Sequence, residues 1–214
     1  MNLRPFLLLA AAPAFAADAP RPLNFANDIV PILTKGGCNS GGCHGKAGGQ
    51  NGFKLSLLGF EPQEDYEHIV KEARGRRIFP AAPEQSLLLT KAVAQTPHGG
   101  GKKLDAASED YADLVRWIRE GMPYGKDTDP KMARISVEPA KLTMPLKGAQ
   151  QLKVTAHYTD GSTRDVTKRA LYEANEKAMA ETSETGRVTL FDLPGDVAVM
   201  VRYQGKVSTF RATV

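Results

Sequence analysis

The chain has 214 residues, 42% of them hydrophobic and 24% charged, with a formal net charge of +4, the proportions of an ordinary folded protein. Those proportions exclude a disordered or collagen-like chain, and two cysteines are too few for a disulfide scaffold. No apolar run approaches the roughly 20 residues that a membrane-spanning helix needs, and the mild charge carries no Lys/Arg stripe interleaved with aromatics, so nucleic acid is not an expected partner.

Residues 1–16, MNLRPFLLLAAAPAFA, read as a signal peptide. Arg4 is the positive end, residues 6–12 the apolar stretch, and Ala14-Phe15-Ala16 the small-residue cleavage site. The expectation is export to a periplasm or to the cell exterior, where disulfides persist.

From about residue 23 to 121 the apolar residues recur at helical spacing, with Gly-rich loops between. Phe25, Ile29, Ile32 and Leu33 share one face, with Asn27 or Asp28 as candidate caps. A second helix is expected after Pro62, burying Tyr66, Ile69, Val70 and Ala73, and a third over 84–93. The clearest covers 108–120, capped by Ser108 and ended by Gly121. Its stripe is Tyr111, Leu114, Val115 and Ile118, with Trp117 beside it.

Residues 122–134, polar and punctuated by Pro and Gly, read as an inter-domain linker. Beyond Ile135 the period becomes two. Leu152, Val154, Ala156 and Tyr158 alternate up to the Asp160-Gly161 turn, and Val197, Val199, Val201 and Tyr203 alternate up to Gln204-Gly205. Frequent turns between short strands predict a β-sandwich.

Both cysteines fall in Gly36-Gly37-Cys38-Asn39-Ser40-Gly41-Gly42-Cys43-His44-Gly45. Covalent haem attachment needs two thiols for the two vinyl groups and an imidazole directly afterwards to meet the iron. The usual C-x-x-C-H is here C-x-x-x-x-C-H, and Gly41-Gly42 offer backbone freedom for the two extra residues. A local Cys38–Cys43 disulfide, a zinc site lacking its fourth ligand and a reactive thiol pair are the competing readings. The longer spacing is the less specific one, but His44 directly after the second cysteine, with Gly45 next, favours haem c with His44 as proximal iron ligand.

Asn27-Asp28-Ile29-Val30-Pro31-Ile32-Leu33, Cys38…Cys43-His44-Gly45-Lys46, Gly52-Phe53-Lys54-Leu55-Ser56-Leu57, Pro83-Glu84-Gln85-Ser86-Leu87-Leu88 and Trp117-Ile118-Arg119-Glu120-Gly121 together resemble the N-terminal domain of the planctomycete-type cytochrome c family. Residues 135–214, through Tyr158-Thr159-Asp160-Gly161-Ser162, Asp165-Val166-Thr167 and Gly186-Arg187-Val188, resemble a bacterial Ig-like group 2 domain. The resemblances imply an all-α cytochrome-c-like haem domain over 17–121, the linker over 122–134 and an all-β immunoglobulin-like sandwich over 135–214. The sandwich would serve as spacer or interaction module.

In similar cytochrome domains the distal methionine occupies a loop just before the last helix, often beside a proline. His98, within Thr96-Pro97-His98-Gly99-Gly100-Gly101, occupies that place, and Met122, just past the helix, is the runner-up. His68 reads as a surface residue of the second helix and His157 as a strand residue. Arg76 and Arg77 could contact haem propionates. The expected activity is single-electron transfer with an unidentified redox partner protein rather than catalysis. A non-redox cell-surface module with a Cys38–Cys43 disulfide is the alternative. A haem peroxidase would need an open distal face with His98 as acid/base.

Overall fold

The computed structural model describes residues 21–45 and 49–214; the expected signal peptide lies outside the described residues. The chain enters its first helix through the π-helical turn Phe25–Ile29. The cap is Asn24, whose side chain accepts from the Asn27 N–H, and not Asn27 or Asp28 as the sequence suggests. Helix α1 (Val30–Lys35) continues it. Helix α2 (Pro62–Val70) buries Asp65 and Ile69, and Ala73 falls beyond its end at φ 53°. The helix expected over 84–93 is broken at Ser86. A 3-10 turn, Pro83–Gln85, precedes it and α3 (Leu87–Ala92) follows. Ser86 itself is extended and wholly buried, its hydroxyl accepting from the Phe79 N–H. Helix α4 (Glu109–Arg119) matches expectation, with Ser108 accepting from the Tyr111 N–H and Gly121 leaving the helix at φ 85°.

Phe25, Ile29, Ile32, Leu33, Leu89, Leu114, Trp117 and Ile118 form the core beneath these helices. Trp117 is fully buried, tilted against Phe25 at 5.5 Å and donating from Nε1 to the Pro123 carbonyl. A buried indole with its N–H satisfied is the arrangement that loses nothing on desolvation.

The second half holds β1 (Met132–Glu138), β2 (Lys141–Thr143), β3 (Ala149–Gln151), β4 (Lys153–Tyr158), β5 (Thr163–Asp165), β6 (Leu171–Ala174), β7 (Ala180–Thr182), β8 (Arg187–Leu190), β9 (Asp196–Tyr203) and β10 (Lys206–Thr213). They make three sheets, ordered β1-β4-β5, β2-β10-β9-β6 and β3-β8-β7. Strands β9 and β10 pair antiparallel from Lys206↔Tyr203 to Thr213↔Asp196 through a turn with both Gln204 and Gly205 at positive φ, the primed turn that matches strand twist. Val197, Val199, Val201 and Tyr203 all point inward, as the alternation requires.

The expected pairing of an all-α domain with an immunoglobulin-like sandwich does not hold. The first half is mostly loop, its described α-helices only 6, 9, 6 and 11 residues long, and a positive-φ residue, Gly37, Ala73, Ala94 or Gly121, follows closely on the end of each. In the second half β2, β3, β5 and β7 have three residues each. Strands so short give three small sheets instead of two broad layers.

The segment expected as a linker is packed down. Tyr124 O accepts from the Phe25 N–H at 3.0 Å, Met122 O from Tyr66 Oη, and Pro130 O from Asn27 Nδ2. Direct bonds also join the halves. Arg169 donates to Asp110 and Asp113, each at 2.7 Å. Lys35 Nζ donates to the Ala170 and Glu184 carbonyls at 2.9 and 2.5 Å. Asp28, 1% exposed, is paired with both Arg21 and Arg164. Among the described residues no helix is long and apolar enough to cross a membrane.

Candidate functional site

Helix α1 ends in a Schellman motif that delivers the first cysteine. Gly37, at φ 71°, donates its N–H to Thr34 O, and Cys38 donates to Leu33 O at 2.8 Å, the 5→2 and 6→1 bonds of that cap. The loop then folds back on itself. His44 N–H donates to Cys38 O at 3.0 Å, and both Cys43 and Gly45 donate to Ser40 O at 3.0 and 2.9 Å. Asn39 is wholly buried and fastens the loop to α1 through Nδ2 and the Thr34 hydroxyl, 2.8 Å apart.

The glycines that this loop needs differ from those the sequence suggests. Neither Gly41 nor Gly42 takes a positive φ, and a Cβ on Gly42 would meet nothing within 4 Å. Gly37 supplies the left-handed residue. Gly45 supplies close approach, since a Cβ there would lie 1.9 Å from the Asn39 carbonyl oxygen. The signal was available in the position of Gly37 just past a helix end; the closeness at Gly45 is a tertiary fact.

Cys38, Cys43, His44 and His98 all line one cavity of about 550 Å³, within the usual range for a cofactor pocket. Ile32, Leu33, Leu55, Leu88, Leu104 and Leu114 provide apolar wall, and Arg76, Lys91 and Lys103 reach it with charge. Both cysteines are free thiols. Burial pushes the Cys38 thiol up to about 11, so it is protonated at neutral pH. Among the described residues no group of three or more His, Cys, Asp or Glu converges to hold a metal ion.

The two cavity histidines are held alike. His44 Nδ1 lies 2.9 Å from the Phe53 carbonyl oxygen and His98 Nδ1 lies 3.0 Å from the Gly101 carbonyl oxygen. A carbonyl can only accept, so each Nδ1 is the donor of its pair. Their rings are within 6° of parallel with centroids 6.3 Å apart. The structure thus brings together the residues expected as proximal and distal ligands, 54 positions apart in number. The His44 ring also packs on Phe53 at 4.6 Å, whose carbonyl and ring both serve it.

Other expected contributors lie elsewhere or are occupied. Met122 does not line the cavity; it sits at φ 56° beside the aromatic core. Arg77 lines it but spends its guanidinium on the His68, Glu72 and Gly52 carbonyls and on the Glu72 carboxylate at 3.1 Å, with its carbon 4.4 Å over Phe53. It ties the loop that carries Phe53. Arg76 is exposed at the cavity. Lys103 and Lys91, which sequence reasoning passed over, join it there. His68 stays outside the cavity, and His157 bonds Ser136 at 2.9 Å in β4.

No protein-family profile matches the chain, and no curated protein matches it. Among solved structures, that of the S-layer protein rSbsC(31-844) aligns with a TM-score of 0.35 at 17% identity, over 40% of this chain and 13% of that one. That of SbsC domains 4 and 5 aligns with a TM-score of 0.34 at 16% identity, over 40% of this chain and 53% of that one. The chain spans little more than half of the latter and about an eighth of the former. Scores this low establish no common fold.

Proposed function

We propose that this is an exported protein that holds one haem c and carries single electrons. Cys38 and Cys43 are its attachment thiols, His44 the proximal ligand and His98 the distal ligand. The observation that carries the reading is the pair of near-parallel imidazoles, 6.3 Å apart, in the cavity that both cysteines line. Two metal–imidazole bonds of about 2 Å end to end, with the ring radii added, put such centroids about 6 Å apart. The donor set fits in kind as well. Each imidazole gives its Nδ1 proton to a backbone carbonyl, the outer bond that orients a metal-bound histidine and raises its basicity.

When bound, haem supplies an iron centre that exchanges one electron at a potential set by its axial ligands and surroundings. The chain's part is to bind, orient and exclude water. The Leu and Ile side chains form a low-dielectric wall, which disfavours net charge in the pocket. Arg76, Lys91 and Lys103 at the cavity provide cations for carboxylate groups of the ligand. Two imidazoles in place of an imidazole and a thioether lower the potential. A leader over residues 1–16, as the sequence suggests, would send the protein to a periplasm or outside the cell, where a redox partner protein would meet the haem edge.

The test is expression of the full chain with cytochrome c maturation machinery present. A chromophore that stays with the polypeptide after denaturation is expected; a colourless protein with a Cys38–Cys43 disulfide would favour the non-redox module instead.

A further inference from the structure

The two imidazoles are held by unequal means. His44 sits in a loop fastened at several points: its N–H to Cys38 O, its carbonyl to the Leu55 N–H at 2.8 Å, its ring on Phe53, and Gly45 wedged against Asn39. His98 sits on a loop fastened only at its ends. Thr96 N–H donates to Thr90 O at 3.0 Å, and Lys103 and Leu104 both donate to Ala92 O at 2.7 and 3.0 Å.

Between those anchors, residues 97–102 bond mainly to themselves. Gly101 N–H returns to His98 O at 2.9 Å, and His98 Nδ1 returns to Gly101 O. Among the described residues, the hydrogen bond from the body to this loop is Lys91 Nζ to Pro97 O at 3.0 Å, with a surface ion pair of Lys102 and Asp105 at 3.8 Å. Gly99 and Gly101 would meet nothing within 4 Å even with a Cβ, and the atoms nearest a Cβ on Gly100 belong to the His98 ring and the Lys103 side chain. The turn that orients the imidazole travels with it. His98 can therefore leave the cavity as a unit, at the cost of one lysine contact, whereas His44 can leave only by unravelling its loop.

We infer that the distal position is exchangeable: His98 swings out on residues 97–102 and admits a small neutral ligand of ferrous haem, of the class of carbon monoxide and nitric oxide. The inference rests on the haem reading above. In the exchange one coordinate bond, from the His98 Nε2 lone pair, is replaced by another, from the ligand's lone pair; no electron is transferred and no proton need move. The glycines give the loop its freedom, and the Ile and Leu side chains of the cavity wall suit an uncharged diatomic.

The experiment uses the haem-loaded full chain, reduced, mixed with carbon monoxide and followed by absorbance. The expected rate rises with carbon monoxide and then saturates at the rate of His98 departure. His98→Ala should remove the plateau, and Lys91→Met should raise it about fivefold, the worth of one exposed charge-assisted bond. In the haem-free chain, amide exchange at His98, Gly99 and Gly100 should run far ahead of exchange at His44 and Gly45. Carbon monoxide uptake by His98→Ala but none by the parent would overturn the inference, as would a parent rate linear in carbon monoxide and equal to that of His98→Ala. Absence of covalent haem would instead overturn the underlying reading, an outcome told apart by the denaturing gel.

Discussion

Gly45→Ala is the sharpest test of how the attachment loop is built. The added methyl would lie 1.9 Å from the Asn39 carbonyl oxygen and 2.5 Å from its carbon. Backbone cannot rotate away as a side chain can, so the loop must open by more than an ångström. The bonds from Gly45 N–H to Ser40 O and from His44 N–H to Cys38 O would go with it. At about 1 kcal/mol for each lost bond, and about 1–3 kcal/mol for overpacking, the cost is about 3–5 kcal/mol. Gly42→Ala is the matched control, with open space and ordinary φ; it should be neutral or stabilising by about 0.5 kcal/mol. Guanidinium unfolding of both haem-free variants measures the difference, and haem staining shows whether His44 still reaches the cavity. Equal midpoints for the two variants would refute the loop geometry.

Arg169→Ala should cost about 2 kcal/mol in unfolding free energy, between an exposed and a buried pair, because its half-buried guanidinium serves both Asp110 and Asp113; Lys168→Ala, whose pair with Glu109 is exposed and 3.9 Å long, should cost under about 0.5 kcal/mol. Burial pushes the Asp28 carboxyl up, but hydrogen bonds from Arg21 and the Asn24 N–H, with the Arg21 and Arg164 charges, outweigh it and hold it below its ordinary value. A lowered folded value adds stability that is full above about pH 4 and is lost as pH falls through the folded value, so Asp28→Asn should flatten the loss of stability seen in acid unfolding curves below that point. Met122→Leu should leave the visible spectrum of the loaded protein unchanged, since Met122 does not line the cavity. Loss of a far-red methionine–iron band in that variant would contradict the His98 assignment.

The α4 helix and the β9–β10 hairpin were legible because each signals twice, in periodicity and in its ending. Ser108 and Gly121 bracket the one, and Gln204-Gly205 closes the other. The candidate site was legible in its local part, Cys38, Cys43 and His44. His98 is suggested only by the family resemblance of its loop, and its nearness to His44, 6.3 Å between ring centroids, is a product of folding. What escaped the sequence is tertiary. Asn27 and Asp28 look like caps, yet Asp28 is buried because two arginines, one 136 residues away, neutralise it. Residues 122–134 look like a tether by composition, yet their carbonyls complete the hydrogen bonds of Phe25, Tyr66 and Trp117. The expected two-layer sandwich failed because strand length, which turn spacing only hints at, falls to three residues at four places. Arg76-Arg77 reads as one motif, but folding gives the two residues separate tasks.

The central claim is tested most directly by the mass of the full chain after export and denaturation, compared with Cys38→Ala, Cys43→Ala and His44→Ala. The account predicts that the parent carries the mass of one haem, that loss of either thiol leaves at most a single, less stable attachment, and that His44→Ala fails to retain low-spin haem. A parent chain at its bare polypeptide mass, made beside a control cytochrome that matures normally, would contradict it.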